Sequence, residues 1–165
     1  MSGIRGGRPR MGGHETLVRG PAPRPASSGP ATAPAKKRVL FVCIGNSCRS
    51  QMAEAFARVY GADVMEPQSA GVAPAMLIAP TTRRVLQERN VRIDGQFPKA
   101  LEAMLDQTFD IVVNMSGAKI ALPGAKLVDW TVQDPIGQTD EIYRVVAAQI
   151  EGLVMRLVLE LRTPR

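Results

Sequence analysis

Short apolar runs alternate along this chain with longer stretches in which apolar residues recur every three or four positions. Val39 to Val42 is an uninterrupted apolar run, the pattern of a strand buried on both faces. From Ser50 the spacing becomes helical, with Met52, Phe56, Val59 and Tyr60 on one face and Gly61 placed to end the helix. Val64 to Ser69 predicts a second strand, and Pro67 assigns it to a sheet edge, because proline has no N–H for an inner ladder. A helix is expected over Thr81 to Arg89 with Val85 and Leu86 inward, then a turn at Asp94-Gly95 and a short helix over Lys99 to Leu105. Asp110 to Asn114 repeats the look of the first strand, and Leu127 to Trp130 is a fourth candidate. The longest helical pattern runs from about Thr139 to Leu161. There Ile142, Val145, Val146, Ile150, Leu153, Val154, Leu157 and Leu161 make one wide apolar face, weakened at Gly152.

Strands alternating with helices at this rhythm predict an α/β domain with a parallel sheet covered on both faces. In such sheets a ligand sits beyond the carboxyl ends of the strands. The residue just past the first run is Cys43.

Composition changes the picture at the N-terminus only. Residues 1–36 are rich in Gly, Pro, Ala, Ser and Arg without apolar period, and a disordered basic tail is expected there, followed by one folded domain over residues 37–162. That tail carries +5 of the net charge of +6, so the domain itself lacks a basic footprint and a nucleic-acid role is not expected. Its His14 is the only histidine, which leaves no histidine chemistry for the domain. Two cysteines, both in one loop, exclude a secreted disulfide framework, and with no bilayer-length apolar run or signal-peptide core the expected setting is cytoplasmic, without a membrane role. A zinc site is disfavoured, since two thiols leave the tetrahedron half empty, and neither metal nor cofactor is called for.

The candidate chemistry lies in Cys43-Ile44-Gly45-Asn46-Ser47-Cys48-Arg49-Ser50, a C-x5-R-S stretch between a buried strand and a helix. A loop of this size can turn the N–H groups of Ile44, Gly45, Asn46, Ser47, Cys48 and Arg49 around one tetrahedral oxyanion at the helix N-terminus. Cys43 would be the attacking atom, as thiolate. The inward N–H groups, the helix dipole, the Arg49 guanidinium and a hydrogen bond from the Ser50 hydroxyl all favour that anion. Arg49 has the planar fork suited to two phosphoryl oxygens. Gly45 would permit a positive φ, and Asn46 would tolerate one while pinning neighbouring backbone. Group transfer to sulfur also needs an acid, and Asp134, before Pro135 in the loop after the fourth strand, is the candidate. Asp129 reads as structural and Trp130 as core. Two readings stand for Cys48: a redox partner that guards Cys43 through a reversible disulfide, or a small buried residue at the loop-to-helix junction.

With Ser69-Ala70-Gly71 and Asp134-Pro135 following in order, the loop resembles the low-molecular-weight protein tyrosine phosphatase superfamily, which includes thioredoxin-coupled arsenate reductases. The resemblance spans residues 37–162. It implies a single domain with a four-stranded parallel sheet, helices on both faces and the phosphate-binding loop after the first strand. It also implies Cys43 as covalent nucleophile, Arg49 as oxyanion holder, Ser50 as thiolate partner and Asp134 as acid. Asn46 to Glu54 and Asp129-Trp130 with Asp134 to Gly137 resemble the reductase branch, and Ile136-Gly137 lacks the aromatics that stack on phosphotyrosine. Thioredoxin-coupled reductases, however, carry two further cysteines after the third strand, and Asn114 to Pro123 has none. The first expectation is therefore hydrolysis of a phosphomonoester, on a phosphorylated protein or small molecule, through a cysteinyl-phosphate. The alternative is arsenate reduction with an external thiol donor. A third reading is a regulator that binds a phosphoanion without chemistry.

Overall fold

The computed structural model describes residues 35–164, so the expected disordered tail, with His14, lies outside the described residues save for its last two positions. Strand β1 (Lys37–Cys43) leads through a loop into α1 (Arg49–Tyr60), then β2 (Met65–Gly71), α2 (Pro80–Glu88), a 3₁₀ turn (Leu101–Met104), β3 (Ile111–Asn114), β4 (Lys126–Asp129) and α3 (Asp140–Arg162). The strands form one sheet in the order β2-β1-β3-β4, every neighbouring pair parallel. This is the expected α/β fold, and Pro67 lies on an edge strand as its missing N–H requires.

Alternation along β1 divides the core. Val39, Phe41 and Cys43 face a cluster with Met52 and Phe56 of α1, Val85 and Leu86 of α2, and Val146, Ile150, Val154 and Val158 of α3. Leu40 and Val42 face the other side, with Val112, Phe109, Ile120 and Met104 from the 3₁₀ turn. The α-helices thus share one face and the 3₁₀ turn covers the other. Helix α3 opens on Thr139, whose hydroxyl accepts from the Ile142 N–H, with Asp140 and Glu141 in the first turn where acidic charge suits the dipole. Arg144 forks onto Glu88 and Arg84 meets Asp140, tying α2 to α3 across the surface.

Three local expectations are corrected. Val59 and Val145, read as inward from spacing, are 53% and 59% exposed, because each sits at the border of its helix's apolar stripe. The helix expected over Lys99 to Leu105 shrinks to the 3₁₀ turn. Lys99 and Ala100 are already committed to the edge of β2, where the Gly71 N–H donates to Lys99 O and Ala100 bridges to Gly71. Asp110 precedes β3 rather than opening it, and its carboxylate accepts from the Arg38 N–H at 2.8 Å.

Parallel pairing brings all four carboxyl ends to one edge, where Cys43 is in register with Gly71, and Asn114 with Val42 and Asp129. Phe41, fully buried and 5.8 Å from the Trp130 ring, holds the centre of this arrangement. Phe41→Ala is expected to cost about 3–5 kcal/mol in urea unfolding, whereas Val59→Ala should cost under about 0.5 kcal/mol.

Candidate active site

Between β1 and α1 the backbone turns its carbonyls outward one after another, and each finds a partner. Cys43 O accepts from Val72 N, Ile44 O from Ala73 N, Gly45 O from Ala75 N and Ser47 O from Ala79 N. The Thr82 hydroxyl adds a second bond to Ser47 O, the Gln51 amide reaches Asn46 O at 3.0 Å, and Cys48 O receives the Met52 N–H of α1. Among the described residues, the N–H groups of residues 44–49 donate to no protein acceptor. Cys48 at the N-cap of α1 makes no side-chain cap, and the first turn holds no acidic residue. Donors without a protein acceptor at an uncapped helix N-terminus suit an anion.

Of the two residues expected to allow a positive φ, Asn46 takes it, with φ 49°, and Gly45 does not. Its side chain makes that conformation specific: Nδ2 donates to Ser50 Oγ at 2.7 Å, and Oδ1 accepts from the Lys99 N–H at 2.9 Å. The Ser50 hydroxyl, accepting from Asn46, has its own proton to give to Cys43 Sγ at 2.8 Å. Asn46 thereby orients the hydroxyl that supports negative charge on sulfur. Gly71 is the third constraint, since a Cβ there would lie 2.7 Å from Ile44 O and 2.9 Å from Asn46 N. The Ser69-Ala70-Gly71 stretch places bare backbone where the loop must pass, and the Ser69 hydroxyl is held by buried Glu54.

Arg49 is 5% exposed. Its Nη1 donates to Met115 O at 2.6 Å and Val132 O at 3.0 Å, the ends of the β3 and β4 connections, and Nη2 lies 3.6 Å from Asp134 Oδ2. Asp134 sits at the mouth, with Oδ1 accepting from the Ile136 N–H. Cys43, Ile44, Gly45, Ser47, Cys48, Arg49, Ala75, Asp134 and Ile136 line one cavity of about 220 Å³. Every residue singled out in the loop, and Asp134, is thus brought together. Ile44, Ala75 and Ile136 give this cavity aliphatic walls. Sequence reasoning missed Gln51, Thr82 and the outward bonds of residues 72–79. Only their proximity in the fold reveals that they hold the loop's carbonyls.

Both cysteines are free thiols. Burial pushes the Cys48 thiol up to about 12, against a smaller opposing effect of its hydrogen bond with Thr82. It stays protonated at neutral pH. Trp130 is half-buried against the core, as expected, and Asp129 is exposed.

Residues 38–164 match the family described as low molecular weight phosphotyrosine protein phosphatase. The chain belongs to that family. Within it, the chain is 34% identical over 130 residues to a glutaredoxin arsenate reductase of Synechocystis sp., covering 76% of this chain and 98% of the relative. A solved arsenate reductase in the phosphate binding state matches with a TM-score of 0.69 and 34% identity, over 76% of this chain and 98% of that one. An arginine phosphatase from Geobacillus stearothermophilus aligns with a TM-score of 0.63 and 26% identity, over 76% of this chain and 93% of that one. The relatives favour the reductase branch over the phosphatase ranked first from sequence. No helix among the described residues is long and apolar enough to cross a membrane.

Two outcomes test the site's construction. Gly71→Ala should weaken phosphate binding by at least about tenfold while costing about 1–3 kcal/mol of stability, measured by calorimetry and urea unfolding. For Cys48, folding favours the neutral thiol, so its contribution is complete below the ordinary value of 9.0 and is lost as pH rises towards about 12. Urea midpoints measured from pH 8 to pH 11 should therefore fall less steeply in Cys48→Ser than in the wild type.

Proposed function

We propose that this protein reduces arsenate, with electrons from an external thiol, through a covalent adduct on Cys43. The observation that carries this reading is the size and lining of the cradle. A cavity of about 220 Å³ with Ile44, Ala75 and Ile136 at its walls fits a tetrahedral inorganic oxyanion and offers no aromatic surface to an aryl group. The arsenate reductases among its relatives support the same substrate, and the glutaredoxin named for one of them supports a thiol donor.

Arsenate enters as a phosphate-like anion and is held by the N–H groups of residues 44–49 and by the Arg49 fork. Cys43 Sγ, with the Ser50 hydroxyl directed at it, attacks arsenic. An S–As bond forms and an oxygen leaves as water, with Asp134 as proton donor. An external thiolate then attacks the Cys43 sulfur. The new S–S bond replaces S–As, whose electron pair stays on arsenic and releases it as arsenite. A second external thiol breaks the mixed disulfide and restores the Cys43 thiolate. The sum is arsenate and two thiols to arsenite, one disulfide and one water.

Cys48 lines the same cavity, but burial pushes its thiol up, and the proposed sequence uses an external thiol in its place. Hydrolysis of a phosphomonoester is the second reading, favoured by Asp134 at the mouth, where it can protonate a leaving oxygen. Under that reading the same Cys43 and Arg49 carry a cysteinyl-phosphate, which water resolves.

Purified protein supplied with glutathione should reduce arsenate. Cys43→Ser should abolish reduction, and Arg49→Lys should lower kcat by about 100-fold or more. Assayed in parallel, p-nitrophenyl phosphate should turn over poorly. Efficient aryl phosphate hydrolysis with no arsenate reduction by any thiol would reject the reductase reading.

A further inference from the structure

A second cavity, of about 700 Å³, opens beside the cradle at the same sheet edge, with Arg49 as their shared wall. Its lining comes from the segment after β3, with Ser116, Gly117, Ala118 and Lys119, and from the end of β4, with Asp129 and the Trp130 to Val132 stretch. Three observations bear on its use.

The first is rigidity. Asn114, 5% exposed, clasps the wall: its Nδ2 donates to Ala118 O at 2.7 Å, and its Oδ1 accepts from both the N–H and the hydroxyl of Ser116. The Ser116 hydroxyl oxygen in turn accepts from the Ala118 N–H. A segment pinned in this way is a preformed wall rather than an arm that swings to deliver a thiol. The second is charge. Lys119 and Asp129, both exposed, form no ion pair among the described residues and stand on the two walls of one cavity. The third is chemical demand. Each turnover consumes two thiols, which a chain with two cysteines cannot renew, so the reductant must come from outside.

We propose that this cavity binds the reductant, a small zwitterionic peptide thiol of the glutathione class. Lys119 receives a carboxylate of that thiol and Asp129 its ammonium. The cavity volume lies within the range of small-molecule sites, about 300–1,000 Å³. From this anchor the thiol reaches the cradle mouth along Thr131 to Asp134, the segment that borders first one cavity and then the other. The step it performs is the attack on the Cys43 sulfur described above, with S–S forming, S–As breaking and the electron pair leaving on arsenic. This assignment rests on the reductase reading for its chemistry, although the binding it describes does not require turnover.

The test separates the two. S-methylglutathione, which cannot react, is titrated into the full-length protein and followed by amide chemical shifts. The expected result is saturable shifts in residues 115–121 and 129–132, with Kd raised about five- to tenfold by Lys119→Glu and by Asp129→Lys. In steady-state assays the same variants should raise KM for glutathione by a similar factor and leave KM for arsenate unchanged. Ala118→Trp, which fills the cavity without altering charge, should also weaken binding. Saturable binding at these residues without arsenate turnover supports the site and rejects the reductase reading. Arsenate reduction by glutathione with no shifts at these residues and no effect of the charge variants overturns the site. Reduction that proceeds only with a dithiol protein, with no response to S-methylglutathione, overturns it equally.

Discussion

The structure depends on a single backbone arrangement: from Cys43 to Cys48 every carbonyl is bonded to a neighbouring segment, while the N–H groups of residues 44–49 have no protein acceptor among the described residues. A buried N–H without a partner costs about 1–3 kcal/mol, and here several lack a protein acceptor at an uncapped helix N-terminus. An anion can accept from several of them together. The outward bonds fix the loop from outside, through residues 72–79, Thr82 and Gln51.

The fold supplies each of those supports. Register between β1 and β2 sets Gly71 opposite Cys43, and the absence of a Cβ lets the loop cross within van der Waals distance of the strand end. The Asn46 amide links the loop to Lys99 on one side and Ser50 on the other, so the left-handed turn and the hydrogen bond to Cys43 Sγ are one device. Arg49 is bonded to carbonyls from both the β3 and β4 connections. That anchorage fixes the guanidinium before substrate arrives, and it makes Arg49 the boundary between the oxyanion cradle and the larger cavity.

Much of this was legible in the sequence because it is written in strong local signals. An uninterrupted apolar run gave β1, Pro67 gave the sheet edge, and the C-x5-R-S spacing located the cradle, whose members all converge. What escaped the sequence was set by tertiary pairing. The pattern at Lys99 and Ala100 predicts helix, but both are drawn to the β2 edge, and the partners of the Asn46 amide, Lys99 and Ser50, meet it only in the fold. The missing cysteines after β3 put phosphomonoester hydrolysis first on sequence, whereas the relatives favour the reductase branch, and that segment forms a pinned cavity wall beside Arg49.

The most direct measurement of the central arrangement is a titration of isotopically labelled protein with arsenate, observing backbone amide protons. An inward-facing loop predicts large downfield shifts confined to the amides of residues 44–49 and the Arg49 side chain, abolished by Gly71→Ala. Saturable arsenate binding that leaves those amides unmoved would contradict the account.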